Sequence, residues 1–263
     1  MAQSDLSSTS LDKIHRAITG NASFFYDTLQ LALWSYDTGQ PGQEITGHGY
    51  ARQSITGGAA GWNVTGTTFS NAAQIAFPAA TSAYGNIHEL RLYHPATGDL
   101  VYKKVLASPF TILSGQQATF PIGNLTIGKN ASSNWSDALH VEVMNAICGF
   151  ASMAAVAGLK FALYTSLPAA DGTGGTEVSG NGYAPHSYAG TWTYSYVADS
   201  AKNVSIIEFP EPTAPWGTIA GVVVKKQTND AILVIVDSAD ITSGASLDRL
   251  YIDVGKMEFK RSA

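Results

Sequence analysis

Apolar and polar positions alternate along most of this chain in short runs, each closed by Gly, Pro, Asn or Asp. LQLALWS (Leu29 to Ser35) and LKFALYT (Leu159 to Thr165) begin with period-two alternation and then turn aromatic, which predicts strands. LRLYHPATGDLVYKKVL (Leu90 to Leu106) and VVVKKQTNDAILVIVD (Val222 to Asp237) each read as strand, polar turn, strand. Their hairpin turns are Thr97-Gly98-Asp99 and Thr228-Asn229-Asp230. Two stretches change to helical spacing: Leu11, Ile14 and Ile18, and later Val141, Met144 and Cys148. Ser10 and Ser136 stand where N-caps belong, with Asp12 and Asp137 as first-turn acids.

These elements come in the same order twice. EITGHGYAR (Glu44 to Arg52) returns as EVSGNGYAP (Glu177 to Pro185), and IAFPAATSAYGNI (Ile75 to Ile87) as IEFPEPTAPWGTI (Ile207 to Ile219). Ser114-Gly115 meets Ser243-Gly244, and FPIGNLTI (Phe120 to Ile127) meets IDVGKMEF (Ile252 to Phe259). A shared ligand loop would not keep strands, turns and Phe-Pro steps in register, so the chain reads as a duplicated domain. The division is a flexible arm at residues 1–10, a domain at 11–130, a polar linker at 131–136 and a domain at 137–263. Each repeat offers a short helix and roughly seven or eight strands, the pattern of a mainly β, antiparallel sandwich, jelly-roll-like or Ig-like.

Composition narrows the function. With 263 residues, 45% hydrophobic and 13% charged, the chain can bury a core. A net charge of -5 argues against nucleic acid as partner. Cys148 is alone, so no intrachain disulfide or cysteine zinc site forms, and its apolar helix makes it inert. Met144 to Leu159 is apolar but short of the roughly 20 residues a membrane span needs. It predicts a half-buried helix and no membrane partner. The N-terminus does not read as a signal peptide, and synthesis in a cytoplasm is expected.

Candidate chemistry is sparse. Gly47, Gly49, Gly180 and Gly182 serve positive φ in a structural turn, flanked by Glu44 and Glu177 and followed by strand-opening Tyr50 and Tyr183. The alternative is a carbohydrate or anion cradle, for which a Gly-x-Gly without a following helix is weak support. DGTGGTE (Asp171 to Glu177), matched by Asp37 and Glu44, has the composition of a calcium loop but not its regular ligand spacing, so a solvated β-loop is the default and a calcium site the alternative. His88 and His94 share a strand face by parity, with no third ligand spaced to join them. Asp237 and Asp240 read as a solvated turn. No catalytic motif occurs, so no enzyme site, metal or cofactor is expected. Trp62 in GWNVTG and Trp192 in GTWTYSY are candidates for stacking on a sugar or partner, or for cross-strand pairing.

The order of helix, LxxALxx, Gly/Asp loop, E-[IV]-[ST]-G-x-G-Y-A, Phe-Pro-x-x-Thr and aromatic-Gly-x-Ile resembles a small β-domain of tailed-bacteriophage virion proteins, often labelled tail-fibre or structural proteins. Glu44, Gly47, Gly49, Tyr50, Ala51 and Arg52 carry the motif in the first copy; Pro185 replaces the arginine in the second. The resemblance implies a non-enzymatic virion component made in the host cytoplasm. No heptads, collagen triplets or stacked β-repeat provide a shaft. That favours a capsid decoration (cement) or head-surface protein, held by the major capsid protein or by neck or tail proteins. A homo-oligomer, dimer or trimer, is expected. The alternative is a tail-fibre or adhesin module binding a host surface receptor or carbohydrate.

Overall fold

The structure, a computed structural model, describes residues 4–36, 42–128, 135–195, 200–237 and 250–260. Its first repeat runs β1 (Ser4–Leu6), α1 (Ser8–Ile18), β2 (Thr28–Ser35), β3 (Gln43–Glu44), β4 (Gln53–Thr56), β5 (Trp62–Thr65), β6 (Thr68–Asn71), β7 (Ile75–Ala76), β8 (Gly85–Tyr93), β9 (Leu100–Ile112), β10 (Thr119–Phe120) and β11 (Thr126–Gly128). The second runs α2 (Asp137–Ile147), β12 (Leu159–Ser166), β13 (Thr176–Glu177), β14 (His186–Tyr188), β15 (Trp192–Ser195), β16 (Ser200–Asn203), β17 (Ile207–Glu208), β18 (Gly221–Lys226), β19 (Ile232–Asp237), β20 (Tyr251–Ile252) and β21 (Glu258–Lys260).

By its contacts the chain divides into two compact units. One holds Met1–Ser10, Phe25–Asn130 and Met144–Ser152; the other holds Leu11–Phe24, Ala131–Val143 and Met153–Ala263. Among the described residues the first unit contains a six-stranded sheet in the order β1-β9-β8-β2-β3 with β4 also on β2, a β11-β6-β5 sheet and a β10-β7 pair. The second contains β13-β12-β18-β19 with β14 also on β12, then β15-β16-β21 and β17-β20. Every pairing is antiparallel, and β2 to β11 each have their counterpart in β12 to β21; Trp135 bridges Val234 as Leu6 of β1 pairs with Tyr102. The chain is thus mainly β and duplicated strand for strand. Where the sequence predicted two facing layers, each unit builds three sheets. β7 and β10, two residues each and closely followed by Pro78 and Pro121, pair only with each other and extend neither larger sheet.

Alternation explains the large sheets. Leu29, Leu31 and Leu33 of β2 are at most 1% exposed, and Leu90 and Leu92 of β8 lie opposite Leu33 and Leu31 on the same face. Each such leucine removed from water contributes about 1.5–3 kcal/mol. The expected arm is structured from Ser4 onward, because β1 pairs with Tyr102–Lys104 of β9 and α1 has begun by Ser8. Residues 129–134, most of the expected linker, lie outside the described residues, as do Asp37, Asp240 and Ser243-Gly244.

The helix ends correct the sequence register. Ser136 Oγ accepts the Leu139 N–H at 3.1 Å, the expected cap. In α1 the cap is Ser7, whose Oγ accepts the Ser10 N–H at 3.1 Å, so Ser10 already lies in the first turn. Asp137 is a first-turn acid, whereas Asp12 lies further on and binds Arg16 at 2.7 Å. With the caps aligned, buried Ile14, Ala17 and Ile18 correspond to Val143, Ala146 and Ile147, one residue from the register apolar spacing suggested. Beyond Ile147 the apolar stretch continues as loop, and no described helix is long and apolar enough to cross a membrane.

Both helices stop at a left-handed glycine, Gly20 (φ 80) and Gly149 (φ 75). A Cβ on Gly20 would lie 2.6 Å from Val156 O; on Gly149 it would lie 2.6 Å from Gly57 Cα and 2.8 Å from Tyr26 O. Neither neighbour is a flexible side chain. Gly149→Ala is therefore expected to cost about 2 kcal/mol or more, left-handed strain plus backbone overlap, measured by urea unfolding. A loss under about 0.5 kcal/mol would mean this approach is not needed.

Candidate functional site

The repeated nine-residue motif connects β3 to β4 and β13 to β14. Three successive residues turn left-handed: Gly47, His48 and Gly49 at φ 70, 52 and 77, and Gly180, Asn181 and Gly182 at φ 71, 48 and 78. The glycines adopt this freely, while the central residue carries strain of about 1 kcal/mol. The turn closes when Tyr50 N–H reaches Gly47 O at 2.8 Å, and Tyr183 N–H reaches Gly180 O at 2.9 Å. Its tip is tied down by Thr81 N–H to His48 O (2.9 Å) and by Thr213 N–H to Asn181 O (3.0 Å).

The turn delivers a tyrosine to the sheet edge. β2 passes from β4 to β3 around Leu33, whose N–H is left without a strand partner there. Tyr50 Oη accepts that N–H at 3.0 Å and donates to Glu44 Oε1 at 3.2 Å. Its ring stacks on Phe77 and meets Tyr84 edge-on, both at 5.8 Å. Tyr183 repeats this: Oη accepts the Leu163 N–H at 2.8 Å, and the ring lies against Phe209 and Trp216. Burial raises both phenol pKa values well above the ordinary tyrosine range.

Each glutamate takes a cation, from just before β4 in the first repeat and from β18 in the second. Arg52 binds Glu44 through two hydrogen bonds of 2.7 Å and lies 4.0 Å above the Tyr93 ring. Pro185 removes that arginine from the second copy, and Lys225 Nζ binds Glu177 at 2.6 Å instead. Lys225 pairs with Lys160 on β18 as Tyr93 pairs with Gln30 on β8, so the lysine occupies the position of the ring under Arg52. Burial pulls its pKa down, but hydrogen bonds and charge from Glu177 and Tyr164 outweigh this and hold it above the usual value. The arginine's role is thus shared although the residue is not. Lys225→Tyr is expected to cost about 1–2 kcal/mol, and adding Pro185→Arg to recover at least half of it in chemical unfolding. No recovery would refute the equivalence.

Among the described residues a second polar cluster lies in the first unit, and the sequence reading missed it. Glu89 is 2% exposed; it pairs with Arg91 and accepts the Tyr36 O–H at 2.5 Å. The Arg91 guanidinium lies 3.3 Å over Trp34, and His88 meets Tyr36 edge-on at 5.9 Å. The second unit has Gly221 and Val223 at the places of Glu89 and Arg91. The available signal was the polar and aromatic alternation of Glu89, Arg91 and Tyr93 between buried leucines.

Two asparagines were also missed. Asn71 and Asn203, at most 1% exposed, end β6 and β16. Asn71 Oδ1 accepts Leu125 N–H at 2.9 Å, and Nδ2 donates to Ala73 O and Pro121 O at 2.8 and 2.9 Å. Asn203 bonds Met257 N–H, Ser205 O and Asp253 O in the same way.

The remaining candidates do not converge. Trp62 is 1% exposed, so its ring is no surface platform; it starts β5 opposite buried Asn71. Trp192 is half-buried against Tyr188 and Phe259, at 5.2 and 4.9 Å. His88 turns to Tyr36 and His94 to Tyr26 and Thr97. Asp171 accepts from Thr173, which lowers its pKa, while Glu177 faces Lys225. Among the described residues no group of three or more His, Cys, Asp or Glu is arranged to hold a metal ion. Buried Cys148 has its thiol pKa pushed up by desolvation.

A family model described as Podophage GP4 fiber I protein gp80 matches residues 6–128 and, a second time, residues 134–260. The curated proteins gave no match.

Proposed function

Because the chain belongs to the family described as podophage GP4 fiber I protein gp80, and is therefore a phage virion structural protein, we propose that it is a non-enzymatic part of the fibre. The observation that carries this is the family match over both repeats. The geometry supports a holding role, since the repeated polar motif spends its tyrosine, glutamate and cation on the sheet edge and leaves no converging reactive groups there. Its partners are other virion proteins and further copies of itself, as a dimer or trimer, and a receptor on the host surface if it lies at the fibre tip. It is made in the host cytoplasm. Capsid decoration rested on the lack of a shaft in the sequence, and the fibre named by the family outweighs that.

Particles assembled without this protein test the reading. Full heads of ordinary stability are expected, with adsorption to host cells reduced at least about tenfold as multivalent attachment is lost. Fragile heads with unchanged adsorption would favour decoration and overturn the fibre role.

A further inference from the structure

We propose that the two repeats complete each other by exchanging helical segments, so that a chain cut between them stays one folded complex. The first-repeat strands form a unit with Met144–Ser152, and the second-repeat strands form a unit with Leu11–Phe24. Each borrowed segment is part of its unit's hydrogen bonding and core. In the first unit, Tyr26 N–H donates to Ala146 O at 2.9 Å and Gly58 N–H to Cys148 O at 2.8 Å. Ala146, Ile147 and Cys148 are 0% exposed. In the second, Val156 N–H donates to Ala17 O at 2.8 Å, and Phe24 and Met153 exchange both backbone bonds, at 3.2 and 3.0 Å. The Arg16 guanidinium lies 4.5 Å over the Tyr194 ring, and Ile14, Ala17 and Ile18 are 0% exposed.

These contacts join residues on opposite sides of the 129–134 junction, and none needs the junction intact. Withdrawing either segment would open a core to water and strand buried backbone groups. The repeat is thus a self-complementary partner, of which this chain carries two copies in tandem. Segments exchanged between protomers are a low-cost way to build such pairs.

The test inserts a protease site into residues 129–134 of the full chain and cuts the folded protein. On size-exclusion chromatography with light scattering, both pieces are expected in one species with the mass of the uncut chain. Its unfolding temperature should become concentration-dependent. Pieces that elute apart, folded or unfolded, overturn the proposal. Ile14→Asp in the cut protein separates exchange from association through any other surface: at least about tenfold weaker association is expected. An unchanged dissociation constant overturns the role of the first segment.

Discussion

Asn71→Ala is expected to lower stability by about 3–5 kcal/mol, with Asn203→Ala close behind, because each leaves one buried N–H and two buried carbonyls without partners. For a chain of this length that is a fall of roughly 10 °C in unfolding temperature. The size of the loss reflects what each side chain ties together. Asn71 closes the turn after β6, where Nδ2 meets Ala73 O, and holds the loop before β11, where it meets Pro121 O and Leu125 N–H. Asn71→Asp would keep the acceptor and lose the donors, setting a carboxylate against two carbonyl oxygens. Its folded pKa would be raised, so the protonated form favours the fold, and part of the loss should be regained below about pH 4 relative to the parent. Calorimetry of the variants checks both; a loss under about 1 kcal/mol would mean water replaces the side chain.

Arg91→Val should rank next, at about 3 kcal/mol, because it leaves the nearly buried Glu89 carboxylate with only the Tyr36 hydroxyl. The pair itself need not stabilise strongly against an apolar replacement, since the second unit folds the same face with Gly221 and Val223. Glu89→Ala added to Arg91→Val is therefore expected to recover at least about 1 kcal/mol in a double-mutant cycle. Additive losses would contradict this account of the cluster.

The strands were legible because their signals are local. Alternation located β2 and β12, and the Gly-x-Gly repeat located the turn, including the positive φ at both glycines of each copy. The turn before β19 was read one residue off: Asp230 at φ 59 stands where Gly98 stands at φ 72, and Asp tolerates that conformation without announcing it. Trp62 looked exposed because small and polar residues surround it in sequence, yet its cross-strand neighbour is the buried Asn71. Long-range facts were out of reach. Nothing near Pro185 indicates that Lys225 supplies the missing cation, and nothing in α1 indicates that it completes strands far downstream. Asn71 and Asn203 resemble ordinary turn residues until the two loops each one binds are seen together.

Imaging purified particles by cryo-electron microscopy, with this chain fused to a small marker domain, is the most direct trial of the fibre assignment. Marker density is expected on the appendages of the tail, in few copies and with the symmetry of a small oligomer. Density spread in many copies over the icosahedral shell would contradict it.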